Sequence, residues 1–271
     1  MGVRRAVAIA EEACKKENVY SLGPLIHNPR VINDLKNKGL KALIGAEYPP
    51  PLSTLIISAH GVSPIREEEL REKGITLLDA TCPHVKTSQK TAETFSQKDY
   101  HVFLAGEKNH SELKGISAYI AKERCFFCST LEEAENEAAK LHNSKKNIKT
   151  VLIGQTTLKA DFFYTIGQKI KKYFPCLEIV NTICEATEKR QNALRKLCTK
   201  TDAILVIGGK NSSNTKQLYL LARELGKDAF IAENIEDIPK SIKNYSKIGL
   251  CAGASTPDIL ISEIEAYLKT I

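Results

Sequence analysis

Short apolar runs recur along this chain, each followed by a polar loop and then by a stretch with helical spacing of apolar residues. Three runs open equivalent segments: Val19–Leu22, His101–Ala105 and Ala203–Ile207. Their loops read Gly23-Pro-Leu-Ile-His-Asn28, Gly106-Glu-Lys-Asn-His-Ser111 and Gly208-Gly-Lys-Asn-Ser-Ser-Asn214. Second runs fall near Ala42–Ile44, Arg124–Cys128 and Asp228–Ile231. Third runs, Thr54–Ser58, Lys149–Ile153 and Lys247–Cys251, end in His60-Gly61, Gly154-Gln-Thr-Thr157 and Ala252-Gly-Ala-Ser255. A fourth run closes two of the segments, Ile75–Leu78 before Asp79-Ala-Thr-Cys82-Pro and Leu177–Val180 before Asn181-Thr-Ile-Cys184-Glu.

Strand, loop and helix in this alternation predict parallel sheets with right-handed crossovers. The period divides the chain into three small α/β units at 1–82, 83–182 and 183–271, the first lacking an upstream strand and cysteine. The alternative is one doubly wound sheet of about eleven strands. Either way the distinctive residues lie at the C-terminal ends of strands, where open α/β sheets bind ligands. The period also leaves a gap, because three four-stranded units need one strand more than the pattern supplies. The interval from Cys82 to His110 equals that from Cys184 to Ser212, and the same interval counted back from His27 falls just before Met1. The expectation is an upstream strand ending in cysteine, ahead of a first helix at Gly2–Ala13.

The net charge of +7 raises a nucleic-acid reading, but the lysines are scattered, Trp is absent and aromatics make up only 6%. Little material remains for stacking bases, whereas a modest basic excess suits a small anionic ligand. No apolar run approaches the length of a membrane span, and the first residues lack the features of a signal peptide, so no membrane partner and a cytoplasmic location are expected. Eight cysteines in that compartment read as thiols or metal ligands before disulfides.

Cys82 and Cys184 occupy equivalent strand ends that each open a helix. A helix N-terminus favours thiolate, the form that binds metal, so the pair reads as metal ligands. Cys125 and Cys128 lie within one predicted strand at a spacing that points the thiols to opposite faces, before a capping signature at Ser129-Thr-Leu-Glu132. They read as packing residues. His27, His60 and His110 follow strands at matching positions and suggest one polar pocket, while His84, His101 and His142 read as structural. In the third unit, Ser212, Ser213 and Asn214 precede a helix, and Ser255 precedes another with Pro257 in its first turn. Free N–H groups at such helix starts attract anions, although serine and asparagine also serve there as ordinary caps. Glu112, two residues after His110, reads either as a first-turn acid or as a buried proton donor.

Taken in order, these strings resemble the LytB family of iron–sulfur 4-hydroxy-3-methylbut-2-enyl diphosphate reductases over essentially the whole chain. The matching strings are Gly2-Val-Arg-Arg-Ala6, Ile26-His-Asn28, Ser58-Ala-His-Gly-Val62, Asp79-Ala-Thr-Cys-Pro83, His110-Ser-Glu112 and Gln155-Thr-Thr-Leu158. Further on come Ile183-Cys184 with Arg190-Gln191, Lys210-Asn-Ser-Ser-Asn214, Ala252-Gly-Ala-Ser255 and Pro257-Asp-Ile-Leu260. The resemblance implies an α/β trefoil of three small parallel-sheet domains around a central cavity. It implies a [4Fe–4S] cluster held by three cysteines, with Cys82 and Cys184 as two of them. It implies the last step of the non-mevalonate isoprenoid route, in which the substrate's hydroxyl is removed reductively to give isopentenyl and dimethylallyl diphosphates. The small-molecule diphosphate would be held by His27, His60, His110, Thr156, Ser212, Ser213, Asn214 and Ser255. Glu112 would donate the proton, Thr156 would relay or orient it, and an electron donor such as ferredoxin or flavodoxin would act as partner.

One position departs from the family pattern Gly-Phe-Cys-x-Gly-Val, because Met1 stands at x. Met1 is the only methionine of the chain, and the reading favours a start assigned at an internal methionine over a natural loss of the cysteine. The chain as written is then expected to be cluster-deficient. The rival function is a cluster-free protein that binds anions or diphosphates on the same scaffold.

Overall fold

The computed structural model describes residues 2–43, 45 and 47–271. Met1 and Ile44, the latter the predicted end of a second-run strand, lie outside the described residues. Strands β1 (Val19–Leu22), β2 (Lys41–Leu43), β3 (Thr54–Ile57) and β4 (Thr76–Asp79) form one sheet in the order β2-β1-β3-β4. A second sheet has β5 (His101–Ala105), β6 (Cys125–Cys128), β7 (Thr150–Gly154) and β8 (Glu178–Val180) in the order β6-β5-β7-β8. The third holds β9 (Ala203–Ile207), β10 (Asp228–Ala232) and β11 (Ile248–Ala252) in the order β10-β9-β11. Every pairing is parallel. Three separate sheets exclude the single doubly wound sheet. Among the described residues β11 has no outer neighbour, whereas β3 and β7, its equivalents, pair with β4 and β8.

The helices are α1 (Gly2–Ala13), α2 (Pro29–Asn37), α3 (Pro64–Glu72), α4 (Pro83–Gln97), α5 (Ser111–Ser117) and α6 (Leu131–Ser144). They continue with α7 (Ala160–Lys171), α8 (Glu185–Cys198), α9 (Ser213–Glu224) and α10 (Asp258–Leu268). None of them is long and apolar enough to cross a membrane. By packing, the chain forms two compact units, Met1–Leu25 with Leu40–Cys184, and Ile26–Gly39 with Glu185–Ile271.

Strand burial follows from composition. β5, β7 and β9 are buried at every residue and read as unbroken apolar runs, as strands covered on both faces must. In the second sheet Phe103, Cys128, Leu152 and Phe163 pack on one face, while Val102, Leu104, Val151 and Ile116 pack on the other. Cys125 joins the second face and Cys128 the first, so the two thiols point apart. Burial pushes the Cys125 thiol up to about 12 and Cys128 higher still, which leaves both unreactive at neutral pH.

Several boundaries differ by a residue from those the sequence predicts. β7 and β11 each extend one residue further, because Gly154 and Ala252 still pair with Ala105 and Ile207. The cap of α6 is Thr130, which accepts from Glu133 N at 3.0 Å while the Glu133 carboxylate accepts from Ser129 N, one residue later than expected. Pro257 stands at the N-cap of α10 and not in its first turn.

Candidate functional site

In the first unit Cys82 sits at the end of a clasped loop. The Asp79 carboxylate accepts from Thr81 N at 2.9 Å and from the Lys86 ammonium. From the opposite side the Arg5 guanidinium donates to the carbonyls of Thr81 and Asp79, both at 3.1 Å. The Cys82 amide donates to the Ala59 carbonyl at 2.9 Å, and Cys82 is the N-cap of α4 without using its side chain as a cap. Cys184 repeats the arrangement, its amide donating to the Thr156 carbonyl at 2.9 Å. Ala59 and Thr156 are each the second residue past a strand, β3 and β7. The repeat that equates the two cysteines in sequence therefore equates their anchors too. Both thiols are half-buried and neither is in a disulfide. Gly2, at the start of α1, is set against Cys82 so closely that a side-chain methyl there would collide with Sγ and approach Cβ to 2.8 Å.

Beside the Cys184 anchor, Thr156, lies Glu112. It is 2% exposed in the first turn of α5, and both carboxylate oxygens are engaged by one residue. Thr156 N donates to Oε1 at 2.6 Å and Thr156 Oγ1 to Oε2 at 2.9 Å. Burial raises the Glu112 carboxyl to about 7, against the opposing pull of the two Thr156 bonds. His110 caps α5 by accepting from Glu112 N at Nδ1, 3.2 Å away, which places the proton of the neutral ring on Nε2. Its ring meets that of His60 edge to face, with centroids 5.7 Å apart.

Two further polar residues shape this cluster. Gln155, 1% exposed, accepts from Glu107 N at 3.1 Å and donates to Thr157 Oγ1 at 2.9 Å, tying the loop after β7 to the loop after β5. Gln89 of α4 is packed beneath the His60–Gly61 turn, where a methyl on Gly61 would come within 2.5 Å of its Nε2. Arg5, Asp79, Gln89 and Gln155 carry no role in the sequence reading. Arg5, Asp79 and Gln155 each lie in a matching string, which is the signal for them; Gln89 shows only through its tertiary contacts.

The second unit gathers His27, Ser212, Ser213, Asn214 and Ser255. Asn28 caps α2 through Oδ1, 3.2 Å from Val31 N, and so fixes the residue before it. Burial, and then the Lys216 cation, lower the His27 pKa, so the ring is neutral at pH 7 and meets an anion as a hydrogen-bond partner. Ser212 caps α9, accepting from Thr215 N at 3.4 Å; the ordinary capping role is real here, and it leaves the hydroxyl hydrogen available as a donor. Asn214 is 5% exposed, and neither its Oδ1 nor its Nδ2 has a hydrogen-bond partner among the described residues. A buried amide without partners at a helix start is an expensive arrangement unless a ligand uses it.

Gly209 is required by close approach: a methyl there would overlap the His27 carbonyl oxygen and reach 3.1 Å from its carbon. The obstacle is backbone, so it has little freedom to yield. Gly209→Ala is expected to cost about 1–2 kcal/mol of stability and to weaken pyrophosphate binding several-fold, by urea unfolding and calorimetry. Unchanged affinity would show that this approach does not set the loop.

The predicted residues thus fall into two groups. Cys82, His60, His110, Glu112, Thr156 and Cys184 share the first unit, and His27, Ser212, Ser213, Asn214 and Ser255 the second. Among the described residues the thiolate candidates of the site are Cys82 and Cys184. No group of three or more His, Cys, Asp or Glu side chains that could hold a metal ion occurs among the described residues. Two thiolates alone do not fit a cubane that needs three.

Comparison with known proteins gives a consistent result. The family model described as LytB protein matches residues 1–269. The 4-hydroxy-3-methylbut-2-enyl diphosphate reductase of Treponema denticola is 43% identical, across 98% of this chain and 94% of its own length. The solved E-1-hydroxy-2-methyl-but-2-enyl-4-diphosphate reductase of Plasmodium falciparum superposes with a TM-score of 0.89 at 31% identity, covering 99% of this chain and 83% of that one. A second solved (E)-4-hydroxy-3-methyl-but-2-enyl diphosphate reductase, described as the terminal enzyme of the non-mevalonate pathway, gives 0.71 at 36% identity, covering 100% and 95%.

Proposed function

The chain belongs to the LytB family, and on that premise we propose that it is a 4-hydroxy-3-methylbut-2-enyl diphosphate reductase of the non-mevalonate pathway. The observation that carries the reading is the buried Glu112–Thr156 pair, bonded through Thr156 to the anchor of Cys184. An acid with a pKa near 7 keeps a proton to deliver at neutral pH. When Glu112 is ionised, Thr156 donates its hydroxyl hydrogen to Oε2. When Glu112 holds its proton, Oε2 becomes the donor and Thr156 Oγ1 the acceptor, which turns the threonine hydrogen outward toward a substrate hydroxyl. The pair is thus a relay able to protonate a leaving oxygen. For the diphosphate, His60 and His110, with Thr156 at the hydroxyl end, are the candidates of the first unit, and His27, Ser212, Ser213, Asn214 and Ser255 are those of the second. Imidazoles and the start of α9 suit an anion without a metal.

Cys82 and Cys184 are assigned as two ligands of a [4Fe–4S] cluster, which when bound supplies the electrons of the reduction, drawn from a donor such as ferredoxin or flavodoxin. In the family pattern Gly-Phe-Cys-x-Gly-Val a third cysteine stands two residues before the glycine that Gly2 matches. Gly2 packs against Cys82 Sγ, so a cysteine added at that place would enter close to the Cys82 thiol. The test is anaerobic reconstitution of the 271-residue chain and of the same chain preceded by Gly-Phe-Cys. Iron per chain and reductant-dependent turnover are measured in both. The longer form is expected to hold a full cluster and turn over, and the shorter to hold little iron. Full occupancy in the shorter form would show that the added cysteine is not needed. Absence of iron and turnover in both, with diphosphate binding kept, would leave a cluster-free anion-binding protein.

A further inference from the structure

We propose that Lys210 and Asp237 form a latch that positions the Ser212–Asn214 loop, so that Lys210 serves the site through loop geometry and not as a charge offered to the anion. The inference rests on the reading of that loop as a diphosphate site. A lysine beside two serines and an asparagine at a helix start invites assignment as a phosphate ligand. The geometry places it elsewhere. Lys210 is the second residue of a turn closed by Ser212 N donating to Gly209 O at 2.9 Å. Its backbone N–H donates to Glu233 Oε1 at 2.6 Å, and its ammonium donates to Asp237 Oδ1 at the same distance. Asp237 Oδ2 accepts from Glu233 N at 2.9 Å, and Asp237 N donates to Asn234 Oδ1 at 3.0 Å. Main chain and side chain of one residue are thereby tied to the segment that follows β10. On the other side Gly209 is flush with the His27 carbonyl. The turn is held at both flanks, and its exit delivers Ser212 to the cap of α9 with Ser213 and Asn214 buried behind it.

The exposure of the pair fits a local role. The Lys210 side chain is 52% exposed and that of Asp237 22%, so the fold as a whole does not depend on the ion pair, while the turn does. The two roles for Lys210 predict opposite effects at Asp237. If the ammonium were meant for the anion, removing the Asp237 charge would free it and tighten binding. If the pair is a latch, removing either member loosens the same turn.

The experiment is calorimetric titration of inorganic pyrophosphate, without divalent cations, into the 271-residue chain and its Lys210→Met, Asp237→Asn and doubly substituted variants. Each single substitution is expected to weaken binding about fivefold, and the double variant to be no weaker than either. Lys210→Arg should recover most of the affinity, and melting temperatures should stay close to wild type. Tighter or unchanged binding in Asp237→Asn, or additive losses in the double variant, would overturn the latch. Asn214→Ala separates the two levels of the inference. If it weakens binding while Asp237→Asn does not, the anion loop stands and the latch falls. If the wild-type chain binds no pyrophosphate, the loop assignment fails and the latch with it.

Discussion

Glu112→Gln is expected to lower turnover of the cluster-loaded enzyme by about 10²–10⁴-fold while leaving diphosphate affinity nearly unchanged. Glutamine keeps the size of the side chain and an Oε1 that can accept from Thr156 N, so the loop after β7 has no reason to move. What it lacks is a proton to give. The wild-type rate should also carry the signature of that proton. With the carboxyl near 7, the acid form is depleted as pH rises, and kcat should fall about tenfold per pH unit above that point. The variant should show no such limb. Turnover near wild type in Glu112→Gln, or an alkaline limb that survives the substitution, would return Glu112 to the role of a buried first-turn acid.

The sequence made the strands legible because the central ones are unbroken apolar runs, and β1, β5 and β9 fall at the expected residues. It made the equivalence of Cys82 and Cys184 legible because the interval between strand end and cysteine repeats. The two amide anchors, Ala59 and Thr156, are the physical form of that repeat. What it could not show were side chains whose partners are distant in the chain. Arg5 reaches the carbonyls of Asp79 and Thr81, and Gln155 reaches Glu107. A surface arginine and a loop glutamine look ordinary until tertiary packing supplies their acceptors. Glu112 lay between these cases. Its place after His110 raises both the first-turn acid and the proton-donor reading, and its burial against Thr156 is what supports the second. The boundary differences have a local cause, since Gly154 and Ala252 carry loop-like sequence although small residues at a strand end can still pair.

Between pH 5 and pH 8 the wild-type chain is expected to lose about 2–3 kcal/mol of folding stability relative to Glu112→Gln. An exposed glutamate in the unfolded chain ionises near 4.5, whereas the folded carboxyl holds its proton to about 7. Below 4.5 both states are protonated and Glu112 contributes no difference. As pH rises, the unfolded state releases its proton first and is favoured. The stability that comes from keeping the proton is therefore fully present below 4.5 and is lost as pH rises through 7. The interval between the two values corresponds to about 3 kcal/mol, most of it developed between pH 5 and 8. Glutamine has no such titration, and the other ionisable groups, His27 among them, are common to both proteins and cancel in the difference. Urea unfolding of both proteins at pH 5 and 8 measures it, and the cluster is not needed for the comparison. An equal gap at the two pH values would mean that the carboxyl titrates as an exposed group, and the proton-donor assignment would lose its physical basis. A gap that widens in favour of glutamine at pH 8 would show that the fold accepts a destabilising buried acid at the pH where the proposed reaction needs its proton.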